Sequence, residues 1–188
     1  MTNIMVIAGS VRPGRFNIQP ATWITDIAKK HAGIDVTLVD LQELGLPFYD
    51  EPKPAMFGNY VHPHTKKWAE MVGKADGFIF VTPEYNHSYS PVLANALNFL
   101  NAEWNYKPVS FVSYGSAAGG ARAVEHLRGI AGELRMFDLR DQLLLPNYWS
   151  SLDDKGNYKF TEQEAEQAGV VLTELSTWAK KMKVARES

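Results

Sequence analysis

Short apolar runs alternate with amphipathic stretches along most of the chain. Residues 3–9, NIMVIAG, form an apolar run ending on glycine, the pattern of a strand buried on both faces. Ile18, Trp23, Ile24, Ile27 and Ala28 then fall at helical spacing across 17–32, and Gly33 marks a stop. IDVTLVDL (34–41) alternates as a strand with one protected face; residues 64–74 read as a helix and ADGFIFVT (75–82) as another buried strand. Ser90 is placed to cap the next helix, with Pro91 at its first position. Val92, Leu93, Ala96, Leu97 and Leu100 give that helix an apolar stripe. KPVSFVSYG (107–115) is a strand that opens onto the glycine-rich GSAAGGA, followed by a helix over 120–132 and a shorter strand within 134–145. Thr161 and Glu164 form a capping box for the last helix, with Phe160 in the staple position. Ala165, Ala168, Leu172, Leu175, Trp178 and Met182 are its expected buried face.

Five strands alternating with five helices over 188 residues predict one α/β domain, a parallel sheet with helices on both faces. Ligands of such sheets bind beyond the carboxyl ends of the strands, where strand order reverses. Loops 9–17, 83–90 and 115–120 are therefore expected to converge. Residues 45–64 carry four prolines, two glycines and four aromatics, which reads as a long ordered loop rather than a flexible linker.

Composition removes several chemistries. There is no cysteine, so disulfides, thiolate nucleophiles and iron–sulfur clusters are excluded. A net charge of −2 provides no field for nucleic acid or acidic lipid. No apolar run approaches the roughly 18 residues of a membrane span, and MTNIMVIAGS lacks the features of a signal peptide, so a cytoplasmic protein is expected. His62 and His64 in HPH have no carboxylate cluster around them, and no metal site is expected there. Glu43, Asp50 and Glu51 read as solvated loop charges, and Trp23, Trp68, Trp104, Trp149 and Trp178 as core or interface residues.

The chemistry lies in the three loops. GSVRPGRFN (9–17) sits at a strand-to-helix junction, where backbone N–H groups and the helix dipole favour an anion. Ser10 offers a hydroxyl, Asn17 an amide and Arg12 a charge-assisted fork to a phosphate. Residues 9–14 read G-x-x-x-x-G, which is not a dinucleotide fingerprint. Arg15 and Phe16 stand where a P-loop needs Lys and Ser/Thr, so a magnesium ligand for nucleotide hydrolysis is missing. In PEYNHSYSP (83–91), Tyr85 and Tyr89 offer flat surfaces, and Asn86 offers a donor and an acceptor suited to an imide edge. Their alternative is a packed turn. The glycines of 115–120 permit close approach of a flat ring, or relax a tight turn.

GSVRPGRFN, PEYNHSYSPVLANALNFL and KPVSFVSYGSAAGGARA together resemble the NADPH-dependent FMN reductase family of flavodoxin-like proteins, over roughly residues 3–145. The resemblance implies a three-layer sandwich with a five-stranded parallel sheet in the order 2-1-3-4-5. It also implies bound FMN, with NADPH or NADH as reductant. By it, Ser10, Arg12 and Asn17 would hold the FMN phosphate, and Pro83, Glu84, Tyr85 and Asn86 would border the isoalloxazine. Gly115, Ser116 and Gly119 would line its other side, and Ile18 is counted with the cofactor-binding residues. Many members carry serine where this chain has Arg15, so Arg15 is expected either to meet the phosphate or to point outward toward a second nucleotide.

Two function classes follow: a reductase passing electrons from NAD(P)H through FMN to a quinone, flavin, azo compound or metal oxyanion, and a non-enzymatic flavodoxin-like carrier. Near-neutral charge and the PEYN loop favour the first. No side-chain catalyst is then needed, because the cofactor carries the chemistry. Phe48, Tyr49, Phe57, Tyr60, Trp104 and Tyr106 are expected to form an apolar surface that joins copies into a homodimer or homotetramer.

Overall fold

β1 (Thr2–Ala8) runs between β2 (Ile34–Asp40) and β3 (Gly77–Pro83), and all three strands are parallel. In the computed structural model, which describes residues 1–188, the sheet continues through β4 (Pro108–Gly115). The fifth position is filled by two short strands, β5 (Phe137–Asp138) and β6 (Leu143–Pro146), each paired in parallel with β4. The order is therefore 2-1-3-4-5, a flavodoxin-like sheet whose last strand is broken. At the break, Ser110 Oγ donates to Asp141 O and Arg128 donates to the Leu139 and Arg140 carbonyls, so side chains hold the backbone where the ladder lapses.

Strand alternation divides the core into two layers. Met5, Ile7, Phe78, Phe80, Val109 and Phe111 face α3 (Pro63–Lys74), α4 (Pro91–Asn98) and α5 (Ala121–Glu133). Ile4, Val6, Ala8, Ile79, Val81 and Val112 face α1 (Ile18–Ala28) and α6 (Glu162–Glu187). A one-turn helix, α2 (Leu41–Leu44), follows β2 and is capped by Asp40, which accepts from the Gln42 N–H at 2.9 Å. The expected caps form: Ser90 Oγ accepts from Leu93 N at 3.3 Å, and Thr161 and Glu164 exchange both capping-box bonds. Phe160 stacks on Trp23 at 4.0 Å and ties the start of α6 to α1. No helix is long and apolar enough to cross a membrane.

Several expectations need correction. The first helix stops at Ala28, and residues 29–33 are turns. Ala165 is exposed; the buried stripe of α6 begins one turn later and runs through Ala168, Val171, Leu172, Leu175 and Ala179. Trp104 is fully buried against Phe78 and Trp68, so it contributes nothing to the surface. Tyr60 is half-buried, its hydroxyl donating to Glu103 at 2.9 Å.

Glu51 is not a solvated loop charge. Its buried carboxylate accepts from Val61 N at 2.8 Å and His62 N at 3.1 Å, at the N-terminus of α3. Burial pushes its pKa up, but Thr65 and these N–H groups outweigh burial and hold it below the usual range. Asn95 of α4 ties down the same segment by donating to Pro47 O and accepting from Tyr49 N. This explains how a proline-rich stretch stays ordered with few regular elements.

Lys107 is buried at the opposite end of α3, donating to Val72 O at 2.8 Å and Gly73 O at 3.1 Å. These are carbonyls of the last turn, where the helix dipole favours a cation. Burial, helped by nearby Arg186, nevertheless lowers its pKa from 10.5 to about 8. Between those values the unfolded chain binds more of this proton than the folded one, so the lysine's contribution to stability rises with pH. Denaturant unfolding at pH 8 and pH 10 should show this rise in the parent and lose it in Lys107→Met; equal changes in both would contradict the assignment.

Candidate functional site

A cavity of about 500 Å³ opens at the carboxyl ends of the strands. Its walls include Arg12 and Arg15 from the first loop, Pro83, Glu84 and Tyr85 from the second, and Gly115 and Ser116 from the third. The three loops therefore converge as their strand positions require. Ser10, Asn17, Ile18, Asn86 and Gly119 are not in the wall.

In the first loop, the backbone turns tightly, with Arg15 N donating to Arg12 O at 3.1 Å. Arg12 is exposed at the wall, and no carboxylate pairs with it. Arg15 behaves differently from either expectation. Its Nη1 donates to Asp40 Oδ1 at 2.6 Å and also to Ser10 O, while Nη2 meets Asp40 Oδ2. The guanidinium thus clips the loop to the end of β2. Burial alone would raise the pKa of Asp40; the hydrogen bonds from Arg15 and Gln42 reverse that and hold it below its usual value. The same Asp40 bond raises the pKa of Arg15 further.

Ser10 is buried, with its hydroxyl 3.3 Å from Tyr85 Oη. Asn17 is the residue before α1; its Nδ2 donates to Val81 O at 2.9 Å, and its buried Oδ1 has no partner. The amide donor seen in the sequence is thus engaged within the fold. Ile18 starts α1 and packs against the core on that side.

The second loop is a two-residue hairpin. Tyr85 and Ser88 exchange N–H···O bonds of 2.8 and 2.9 Å, and Asn86 (φ 49°) and His87 (φ 66°) both adopt the left-handed backbone such a turn requires. Asn86 is at its exposed tip. One face of α5 grips both ends: Arg122 Nε donates to Glu84 Oε1 at 2.6 Å, and His126 Nδ1 lies 3.0 Å from Ser88 Oγ. Arg122 and His126 are four residues apart and so share that face. The Arg122 N–H also donates to Glu84, placing a carboxylate at the positive end of α5.

Packing accounts for two glycines of the third loop. A Cβ at Gly120 (φ 90°) would lie 2.6 Å from Ser113 Cβ, and one at Gly119 (φ 59°) would lie 3.1 Å from Leu144 Cβ and Pro146 N. Both are needed where α5 leaves the sheet edge, so the tight-turn alternative holds for Gly119. Gly115 and Ser116 do face the cavity.

A fourth wall was absent from the expected convergence: Tyr148, Trp149, Leu152 and Gly156, from the segment after β6. Phe16 stacks on Tyr148 at 4.2 Å, and both meet Tyr114 edge-on at 5.0 and 5.2 Å. Tyr114 is buried beside the cavity, and burial raises its pKa. Gln19 holds this wall to α1 through both ends of its amide, donating to Gly156 O and accepting from Tyr158 N. The available signal was the aromatic pair in PNYW directly after the fifth strand position, where the carboxyl-end rule also applies.

This geometry agrees with comparison to known proteins. The model of the NADPH-dependent FMN reductase family matches residues 2–150. An NAD(P)H-dependent FMN reductase from Schizosaccharomyces pombe is 44% identical over 135 residues, covering 71% of this chain and 67% of that protein. A 2-hydroxy-1,4-benzoquinone reductase from a Burkholderia species is 28% identical over 188 residues, covering 96% of this chain and 98% of that protein. Among solved structures, the flavoenzyme NAD(P)H:(acceptor) oxidoreductase FerB from Paracoccus denitrificans has the same fold. It aligns with a TM-score of 0.76 at 18% identity, over 97% of this chain and 99% of that one. With a 2-1-3-4-5 sheet, convergent loops at its carboxyl edge and a family match over most of its length, this chain belongs to the NADPH-dependent FMN reductases, an oxidoreductase family of flavoproteins.

Proposed function

We propose that the chain binds FMN in this cavity and carries electrons from NADPH or NADH to a small quinone-type acceptor. The observation that carries this proposal is the pairing, in one cavity, of an uncompensated Arg12 in the loop before α1 with a rigid hairpin and, opposite it, Gly115 and Ser116. That combination fits a ligand with an anionic end and a flat ring. A volume of about 500 Å³ is within the range of cofactor sites.

FMN, when bound, supplies the hydride chemistry; the protein supplies binding, orientation and exclusion of water. Arg12, the unpaired cation of the wall, would hold the phosphate. Arg15 acts one step back, fixing the loop through Asp40. Asn17 likewise supports the loop, through Val81. The backbone and side chains of Pro83, Glu84 and Tyr85 would flank one side of the ring and Gly115 and Ser116 the other. Asn86, at the hairpin tip, stands outside the wall and is not counted among the ring's contacts. Arg122 and His126 keep that hairpin from shifting.

Because no acid or base in the wall needs to act, one opening serves donor and acceptor in turn. Steady-state rates with NADPH and 1,4-benzoquinone should give parallel double-reciprocal lines. Intersecting lines would mean that both substrates bind together, contrary to the proposal.

We also propose self-association. Phe48 (89% exposed), Met56 (70%) and Phe57 (59%) project from the segment that Glu51 and Asn95 hold in place. Ordered apolar area of this kind is unusual on a monomer. Light scattering at micromolar concentration should return two or four times the 21.1 kDa chain mass, and a 21.1 kDa species would contradict it.

A further inference from the structure

We infer that Trp149 selects the electron acceptor, forming a stacking platform for neutral planar rings such as quinones. The inference rests on the reductase function proposed above and adds the residue that discriminates among its substrates.

Trp149 is the one exposed tryptophan, 52% accessible, and it stands in the cavity wall. The inner aromatic rings are already in contact: Phe16 stacks on Tyr148, and Tyr114 closes the edge of both. No ring can enter between them. Trp149 meets Tyr148 only edge-on, with centroids 5.4 Å apart and planes at 71°, which leaves an indole face unstacked. Electron-rich indole faces favour flat, electron-poor rings.

The chemistry of the wall separates the acceptor from the nucleotide. Residues 148–152 are Tyr, Trp, Ser, Ser and Leu, with no charge to meet a dinucleotide's phosphates. The platform is held in place: Asn147 N donates to Ser116 O at 3.2 Å, Ser150 Oγ donates to Asn147 O at 2.8 Å, and Gln19 holds the segment's far end.

The test compares the FMN-loaded parent with Trp149→Ala and Trp149→Phe. The acceptors are 1,4-naphthoquinone, 1,4-benzoquinone and ferricyanide, the last having no ring to stack. Trp149→Ala should raise KM for naphthoquinone about three- to tenfold and for benzoquinone less, with Phe recovering much of the loss. Turnover with ferricyanide and the Kd for FMN, from flavin fluorescence, should stay within about twofold of the parent, a change too small for a lost stacking contact. In the oxidised protein, tryptophan emission quenched by naphthoquinone should lose its saturable component in Trp149→Phe. A parallel rise in the FMN Kd would overturn the inference by assigning Trp149 to the cofactor, and unchanged quinone KM values would overturn it by assigning no ligand. A parent protein that holds FMN but reduces none of the three acceptors would instead overturn the reductase function itself.

Discussion

Asp40→Asn is expected to destabilise the fold by about 1.5–3 kcal/mol, because it takes the counter-charge from an Arg15 guanidinium that is largely shielded at the cavity wall. The two side chains are only 12% and 8% exposed, so solvent screens their interaction little. Asparagine keeps the cap on α2, which isolates the effect to the charge. Pairing Asp40→Asn with Arg15→Met should recover much of the loss, as removal of both partners ends the unpaired burial. Urea unfolding midpoints for the single and double variants measure this, and a single variant as stable as the parent would contradict it. The carboxyl's pKa is depressed in the folded state, so its stabilisation is complete above the ordinary value of 3.8. It is lost progressively as pH falls from that value through the lower folded one, and acid sensitivity from this pair is confined to that range.

Arg12→Ala is expected to weaken FMN binding by about 1.5–3 kcal/mol, roughly ten- to a hundredfold in Kd. Arg12 is the cavity cation without a carboxylate, so its loss removes charge that the ligand alone would satisfy. Riboflavin, which lacks the phosphate, should lose far less. The contrast with Arg15 is informative, since both arginines belong to one loop but only Arg12 is free to meet an anion. Fluorescence titration of both ligands checks the effect, and equal losses would show that Arg12 does not read phosphate.

The sheet was legible in the sequence because β1, β3 and β4 are buried on both faces and read as continuous apolar runs. Caps at Ser90 and Thr161 were legible because their bonds are local. Partnerships across the chain were not. Arg15 looks like an anion ligand until β2 brings Asp40 beside it, 25 residues away. Glu51 looks solvated until the chain turns back and sets its carboxylate against the start of α3. The aromatic wall was hidden for a related reason: the fifth strand is broken, so its carboxyl end, and the loop that follows, carry a weak periodic signal. The same holds for Gly119, where Leu144 and Pro146, brought in by the last strand, leave little room for a side chain.

The most direct test is the visible spectrum of the FMN-loaded protein under anaerobic conditions before and after addition of NADPH, repeated with NADH. The flavin absorption should bleach with at least one of the two nucleotides and return in full when 1,4-benzoquinone is added. A flavin that stays oxidised with both nucleotides, yet is reduced by dithionite, would contradict the reductase function and leave the chain a carrier of electrons delivered by another protein.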